Sequence, residues 1–303
     1  MKTNNNILIT LTALSMLLIY GCNTVNTSEP EISEEELEIA GEIVAGSLSE
    51  EQGGVLASVY DAFSTVSQTG ISYSGAGQTL QKSFGDSSNG SGRGRESEYT
   101  ANYNPDTGEH TISFTRSFEG PNMTKDLSVL NKYIFTNSNQ EFLQWPRQQQ
   151  DQIETIDYKG MRTGSAESER RSSSFTRIDT LFTSGMSDES TILTLDGNHN
   201  GEGLMTVDLP QLERSGERSF TVQFNFQNIQ IDKAIVRENG NLEEGITGLI
   251  TYSMQMSKTV DGDTTERNLT GTIELTGDGS ALLRFNRFRK TFLIALRNGT
   301  LMP

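Results

Sequence analysis

The stretch Phe220-Thr221-Val222-Gln223-Phe224-Asn225-Phe226 alternates large apolar side chains with polar ones. Successive side chains of a β-strand point to opposite faces of the sheet, so this pattern predicts a strand with one buried face and one face in water. The apolar residues of this stretch are at even-numbered positions, whereas the next two, Ile229 and Ile231, are at odd-numbered positions. One extra residue at Gln227-Asn228 would keep the same face buried, which predicts a β-bulge there.

Similar strand patterns recur along the chain after residue 70. They are found at 99–103, 112–118, 192–195, 204–209, 246–260, 268–275, 281–285 and 291–297. Residues that tolerate tight backbone angles separate them, at 104–108, 196–201, 261–263 and 277–279. Two stretches are predicted to be loops: 85–95, which is rich in glycine and serine and has no apolar residue, and 160–174, which is polar and charged around Arg170-Arg171.

Helical signals occur only near the N-terminus. Ser33 with Glu36 forms a capping box, and Ser49 with Gln52 repeats it. Apolar residues at helical spacing follow each signal, so we predict two short helices, 33–47 and 50–66. The fold class is therefore mainly β: a large curved antiparallel sheet or barrel-like meander of about ten to twelve strands, with two short N-terminal helices.

The first 22 residues have the parts of an export signal. Lys2 precedes an apolar run from Ile7 to Tyr20, and Gly21 precedes Cys22, the only cysteine in the sequence. The run of 14 residues is shorter than the roughly 20 that a membrane-spanning helix needs. Residues 17–22, Leu-Leu-Ile-Tyr-Gly-Cys, resemble the lipobox of bacterial lipoproteins. An ordinary secretory signal and an uncleaved anchor are the alternatives.

The resemblance implies cleavage before Cys22 and lipidation of Cys22, with acyl chains that bind the protein to a membrane. Asn23 follows the cysteine, which in the enteric sorting rule implies the outer membrane. We thus expect an envelope protein that faces the periplasm or the cell surface. The predicted organisation is a signal peptide at 1–21, a polar tether at 22–32, an acidic helical segment at 33–69 and an antiparallel β domain at 70–303.

The formal net charge is −16, and it becomes −17 when Lys2 leaves with the signal peptide. Phosphate backbones are bound by basic surfaces, so this charge argues against a nucleic-acid partner. The expected partners are the membrane, through lipidated Cys22, and either an apolar ligand or an envelope protein.

Catalytic signatures are sparse. His110 and His199 are the only histidines, and both are predicted to be surface turn residues; the sequence has no Gly-x-Ser-x-Gly motif. No catalytic residue and no cofactor are predicted. Asp196, Asn198 and Asn200, followed by Gly201, match the first half of a calcium-binding loop. The same residues also suit a hairpin turn, which is the alternative.

Two classes of function remain open. The first is a non-enzymatic lipoprotein that binds an envelope partner or an apolar ligand between the sheet and the helices. The second is a cell-envelope hydrolase that uses a carboxylate pair or the calcium loop. Phe142 and Trp145, beside Pro146, are interpreted either as a stacking platform or membrane-facing loop, or as an ordinary strand end.

Overall fold

A computed structural model describes residues 32–64, 95–187, 189–209, 214–260 and 262–302. Contacts between Cα atoms divide the chain into two units, residues 1–37 and 38–303. Within the described ranges, no helix is both long and apolar enough to cross a membrane. The predicted signal peptide, Cys22, the tether up to residue 31, most of the loop at 85–95 and the boundary at 69/70 lie outside the described residues.

The second unit is built on one antiparallel sheet of 12 strands whose order in space is their order in the sequence. Each strand pairs with its neighbours in the chain, and β1 and β12 are the two edges, so the sheet is open. This confirms the predicted fold class. Tight turns join several of the neighbouring strands, such as β1 to β2 and β4 to β5, while longer connections join β3 to β4 and β7 to β8.

The described elements have the following bounds. The helices are α1 (Glu34–Leu48), α2 (Val55–Ser64) and α3 (Lys233–Asn239), and one 3₁₀ turn spans Gln150–Gln152. The strands are β1 (Arg95–Asn104), β2 (Glu109–Glu119), β3 (Met123–Thr136), β4 (Thr155–Ser168), β5 (Arg171–Ser184), β6 (Ile192–Leu209), β7 (Arg214–Asp232), β8 (Ile246–Val260), β9 (Asp263–Thr276), β10 (Ser280–Phe285), β11 (Thr291–Ala295) and β12 (Leu301–Met302).

The first unit contains the predicted capping box. The backbone N–H of Glu36 donates to Ser33 Oγ at 3.1 Å, and the backbone N–H of Ser33 donates to Glu36 Oε2 at 2.8 Å. These two bonds satisfy backbone donors that the first turn of a helix leaves without partners. They fix the start of α1 one residue after the predicted start.

The second helix begins five residues later than predicted. Gln52 N–H donates to Ser49 Oγ at 3.3 Å, but Gly53 then takes φ of +67°, which ends the turn. Gly54 packs so closely that a Cβ there would lie 2.5 Å from the carbonyl oxygen of Ser47. The Gly-Gly pair therefore makes the corner between α1 and α2, and α2 starts at Val55.

The predicted bulge in β7 is confirmed. The register between β7 and β8 shifts between Phe226 and Gln230, and Asn228 takes φ of +53°. Asp196 Oδ1 accepts the backbone N–H of Asn228 at 2.7 Å. The extra residue keeps Phe226 and Ile229 on the same buried side of the sheet.

Two predicted interruptions were wrong. Residues 196–201 are not a turn but part of β6, and Gly197 marks a register shift within that strand. Residues 160–174 are not a loop but the facing ends of β4 and β5. Glycine and asparagine suit bulges as well as turns, so their presence did not distinguish the two.

The helix α3 was not predicted. It follows β7 directly, and the Asp232 carboxylate accepts the N–H groups of Ala234 and Ile235 at 2.8 and 3.1 Å. Gly240 ends it in the left-handed conformation. Seven residues are too few to show a helical apolar period against the strands on either side.

Candidate binding surface

The two faces of the sheet differ in burial and in charge. We name the face that carries Val222, Phe224 and Phe226 the helix-side face, because α2 packs on it, and the opposite one the open face. The helix-side face is buried only along part of each strand: β4 is buried from Ile156 to Arg162 and more exposed from Thr163 to Ser168. The other long strands show the same change. The sheet therefore extends beyond the helices, and we name this extension the distal half: 115–119, 123–126, 163–178, 200–209, 214–221 and 257–268.

A buried polar cluster lies where α2 meets the sheet. Ser58 Oγ donates to Asp179 Oδ2 at 2.5 Å, and Asp179 Oδ1 lies 2.6 Å from Nδ1 of His199. Burial alone would raise the pKa of Asp179, but the bonds from His199 and Ser58 outweigh it and hold that pKa below its usual value. All three side chains are almost completely buried.

An ion pair extends this cluster along the sheet. Arg162 on β4 donates to Asp61 on α2, and both side chains are at most 3% exposed. Asn131 Nδ2 donates to the same Asp61 oxygen at 3.5 Å, and Tyr158 donates to Asn131 Oδ1 at 3.0 Å. Burial raises the pKa of Asp61 despite its contact with Arg162. The cluster joins α2 to four strands, β3 to β6, through polar bonds.

The cluster does not have the arrangement of a nucleophilic triad. In such a triad the serine hydroxyl bonds to the histidine, whose other nitrogen bonds to the carboxylate. Here Ser58 bonds to Asp179, and Nε2 of His199 has no hydrogen-bond partner. Because its side chains are buried and bonded to one another, we interpret the cluster as the support that holds α2 on the sheet.

Both histidines were wrongly predicted to be surface turn residues. His199 is fully buried in β6, and His110 is buried in β2. His110 Nε2 donates to the carbonyl oxygen of Leu143 at 3.0 Å, and burial lowers the pKa of its imidazole. Each ring is therefore a core side chain with a polar partner that is distant in sequence.

A second carboxyl cluster lies at the corner between α1 and α2. Tyr60 donates to Glu243 Oε2 at 2.5 Å and accepts the N–H of Leu242 at 2.6 Å. Glu50 lies beside Glu243, and burial, followed by the charge of Glu243, raises the pKa of Glu50 to about 7. Two neighbouring carboxyl groups cannot both ionise without a cost, which makes this corner sensitive to pH.

Beyond the helices, the helix-side face becomes basic. Directly paired residues share a face, and one row of them crosses eight strands, β2 to β9: Arg116, Leu127, Gly164, Phe175, Gly203, Phe220, Met256 and Arg267. The next row outward is Phe118, Lys125, Ala166, Ser173, Met205, Arg218, Lys258 and Thr265. The described cations on this face of the distal half are Arg116, Lys125, Arg171, Arg177, Arg218, Lys258 and Arg267, against one acid, Asp263. We name these two rows and the flanking residues of the same face the basic surface.

Aromatic rings and exposed apolar groups lie among these cations. The rings of Phe175 and Phe220 cover Gly164 and Gly203, where a Cβ would lie 2.4 Å from a ring atom. The Arg177 guanidinium lies 5.0 Å from the centroid of the Phe175 ring, a cation–π distance. Burial and the charge of Arg162 lower the pKa of Arg177 to about 10. The large apolar side chains exposed on this surface are Phe118 (41%), Met123 (37%), Met205 (39%) and Val260 (39%).

The open face of the distal half has the opposite charge. Its described acids are Glu119, Asp126, Glu167, Glu202, Glu217 and Glu266, and its described residues include no lysine or arginine. A trough of about 540 Å³ lies on it between Glu202 and Glu266, and five of its twelve lining residues are serine or threonine. Three strand spacings, roughly 14 Å, separate the backbones of these two glutamates.

A smaller cavity of about 220 Å³ opens where the α1–α2 corner ends above the basic surface. Gln52 and Gly53 form one wall, and Lys125, Leu127 and Phe175 line the sheet side. Ligand sites for small molecules usually enclose about 300–1,000 Å³. The cavity is thus an indentation at the border of the basic surface.

The calcium candidates lie on a strand. Asp196, Asn198 and Asn200 are alternate residues of β6, which places neighbouring members roughly 6.7 Å apart along an extended chain. The wrapped loop on which the calcium prediction was based is not present there. Among the described residues, no three His, Cys, Asp or Glu side chains form a metal-binding group. Calcium binding at this position stays a prediction.

The predicted aromatic pair lies in the connection between β3 and β4. Phe142 is 48% exposed and Trp145 is 58% exposed, while Pro146 is buried. The Phe142 ring packs on the β1–β2 turn, where a Cβ at Gly108 would lie 2.3 Å from it. Phe142 is thus partly a packing residue, and a platform role for Trp145 stays a prediction.

Sequence reasoning missed the basic surface. The signal was present in Arg171-x-Ser173-x-Phe175-x-Arg177 and in Arg218-x-Phe220, where cations and rings share one phase of a strand. The first of these stretches begins in the segment that was predicted to be a loop. Alternating side chains share a face only in a strand, so the alternation of cations and rings was not recognised there. Comparison with known proteins gives no further indication: no family model, no curated protein and no solved structure matches the chain.

Proposed function

We propose that the chain is a lipid-anchored protein of the cell envelope, attached through acylated Cys22, and that its folded part is a non-enzymatic binding module. The anchor would place it in the outer membrane, facing the periplasm or the cell surface. The basic surface is the binding site in this proposal.

One observation carries the proposal: the charge of the distal half is divided between its two faces. The chain has 40 acids and 24 lysines and arginines, yet in the strands of the distal half the described cations lie on the helix-side face and nearly all described acids lie on the open face. Like charges repel, so collecting cations beside one another costs stability. Clustered cations together with exposed large apolar side chains, here Phe118, Met123 and Met205, are typical of a binding surface.

The geometry favours a partner on the surface over a small apolar ligand inside. The core between α2 and the sheet is filled by the polar cluster and by side chains such as Phe224. The indentation beside it is smaller than an ordinary ligand site. The basic surface, in contrast, crosses eight strands.

Met205 and Leu204 provide a direct test. They are adjacent in β6, point to opposite faces and are 39% and 40% exposed. A photoreactive amino acid in place of Met205, in the native host, is expected to form an adduct that the same substitution at Leu204 does not form. The mass of the adduct identifies what lies on the surface. Equal labelling at both positions, or labelling at Leu204 alone, would contradict the assigned face.

A further inference from the structure

We infer that the occupant of the basic surface is an anionic phospholipid bilayer, on which the distal half lies with its helix-side face down. This inference rests on the proposed function, because it names the partner of the same surface. It adds a second membrane contact to the acyl chains of Cys22.

The chemistry of the surface matches a bilayer interface. Arg171 and Lys258 are exposed and Arg218 is half-buried, and their long side chains carry the charge outward from the sheet. Anionic headgroups attract such cations near the membrane surface. Exposed Phe118, Met123, Met205 and Val260 lie among the cations or at the ends of their strands, where they can enter the region between headgroups and acyl chains.

The predicted anchor would keep the start of the folded chain near headgroups. The ten residues 23–32 span at most about 35 Å when fully extended. Ser33 would therefore remain within that distance of the acylated cysteine. A short tether raises the local concentration of headgroups, so a contact that is weak for the unacylated protein can be occupied in the anchored one.

The net negative charge of the chain does not prevent this contact. The Debye length is about 8 Å at physiological ionic strength, and a sheet with its side chains is roughly 10 Å thick. The acids of the open face are therefore largely screened from a bilayer on the opposite side. Glu38 and Glu42 of α1 are exposed acids outside the distal half, so the contact is assigned to the distal half alone.

Vesicle flotation of the unacylated protein tests the inference. The mature chain with Cys22→Ser is mixed either with vesicles of phosphatidylcholine alone or with vesicles in which about a third of the lipid is phosphatidylglycerol, whose anionic headgroups attract basic side chains. We expect binding to the anionic vesicles that weakens as salt increases. Arg171→Gln, Arg218→Gln and Lys258→Gln together are expected to reduce the partition coefficient about tenfold or more, since each cation contributes to the attraction.

The open face supplies a matched control. Lys132→Gln, Lys159→Gln and Arg284→Gln together remove an equal number of positive charges, three, from the other side of the sheet. This control is expected to bind anionic vesicles like the parent protein, and circular dichroism checks that both triple variants are folded. If binding depended only on the net charge of the protein, both triple variants would bind anionic vesicles equally weakly. That result would overturn the inference.

Absence of a preference for anionic vesicles would also overturn the inference. In that case, an adduct at Met205 with a molecule other than phospholipid would leave the proposed function standing. Labelling confined to Leu204 would instead remove the proposed binding surface itself. The two failures are thus distinguishable.

Discussion

Replacing Arg162 with methionine is expected to lower the free energy of unfolding by about 3–5 kcal/mol. Arg162 and Asp61 form an ion pair whose side chains are at most 3% exposed, so the substitution leaves the Asp61 carboxyl buried without its cationic partner. Arg162 also lies directly opposite Arg177, whose pKa it lowers, and removal of this repulsion places the loss toward the lower end of the range. Urea unfolding followed by fluorescence measures the change.

Two controls separate the buried charge from the loss of packing. Arg162→Met combined with Asp61→Leu removes both charges and is expected to recover most of the stability, because paired apolar replacements are often neutral. Lys132→Met breaks the partly exposed pair with Glu109 and is expected to cost less than about 1 kcal/mol. If Arg162→Met cost no more than Lys132→Met, the buried cluster would not be the support of α2.

The stability of the protein is expected to fall as pH rises from about 5 to 8, and Glu50→Gln is expected to remove part of that fall. The pKa of Glu50 rises from an ordinary value of 4.5 to about 7 on folding. Between these values the folded state binds more protons than the unfolded state, so the stabilisation is complete below 4.5 and is lost as pH passes through 7. Since Glu50 is half-exposed, solvent screening reduces the expected effect to about 1–2 kcal/mol.

Glu42→Gln is the control for this prediction. It removes one carboxylate from an exposed position of α1 and is expected to leave the pH profile unchanged. Unfolding midpoints at several pH values compare the parent protein with both variants. A Glu50→Gln profile as steep as the parent profile would show that the Glu50–Glu243 pair does not govern the pH dependence.

The part of the fold that is buried on one face was predictable from the sequence. In β7 and β8, apolar and polar residues alternate because one side packs on the core and the other faces water. The slip of phase at Gln227-Asn228 located the bulge for the same reason. Local signals also located the start of α1, since the bonds of a capping box involve residues three apart.

The distal half was not predictable in this way. A single sheet with solvent on both faces does not need apolar residues at every second position of its strands. Stretches such as 160–174 therefore lacked the alternation that predicts a strand and were predicted to be loops. The error carried over to the site, because the basic surface becomes visible only when the register aligns residues from eight strands. Arg116 and Arg267 lie in one row although 151 positions separate them in the sequence.

The histidines illustrate the same limit. Asp179 and His199 are 20 residues apart and meet because β5 and β6 pair at that register. Ser58 joins them from a helix 121 residues away from Asp179. The composition of a turn-like segment around His199 contained no information about either partner.

The measurement that tests the account most directly is the intact mass and membrane partition of the protein from its native host, compared with Cys22→Ser. The account predicts a mature chain that begins at Cys22 with added acyl chains, and loss of both the modification and stable membrane association in the variant. An unmodified chain, or a Cys22→Ser protein that still fractionates with the membrane as stably as the parent protein, would contradict it.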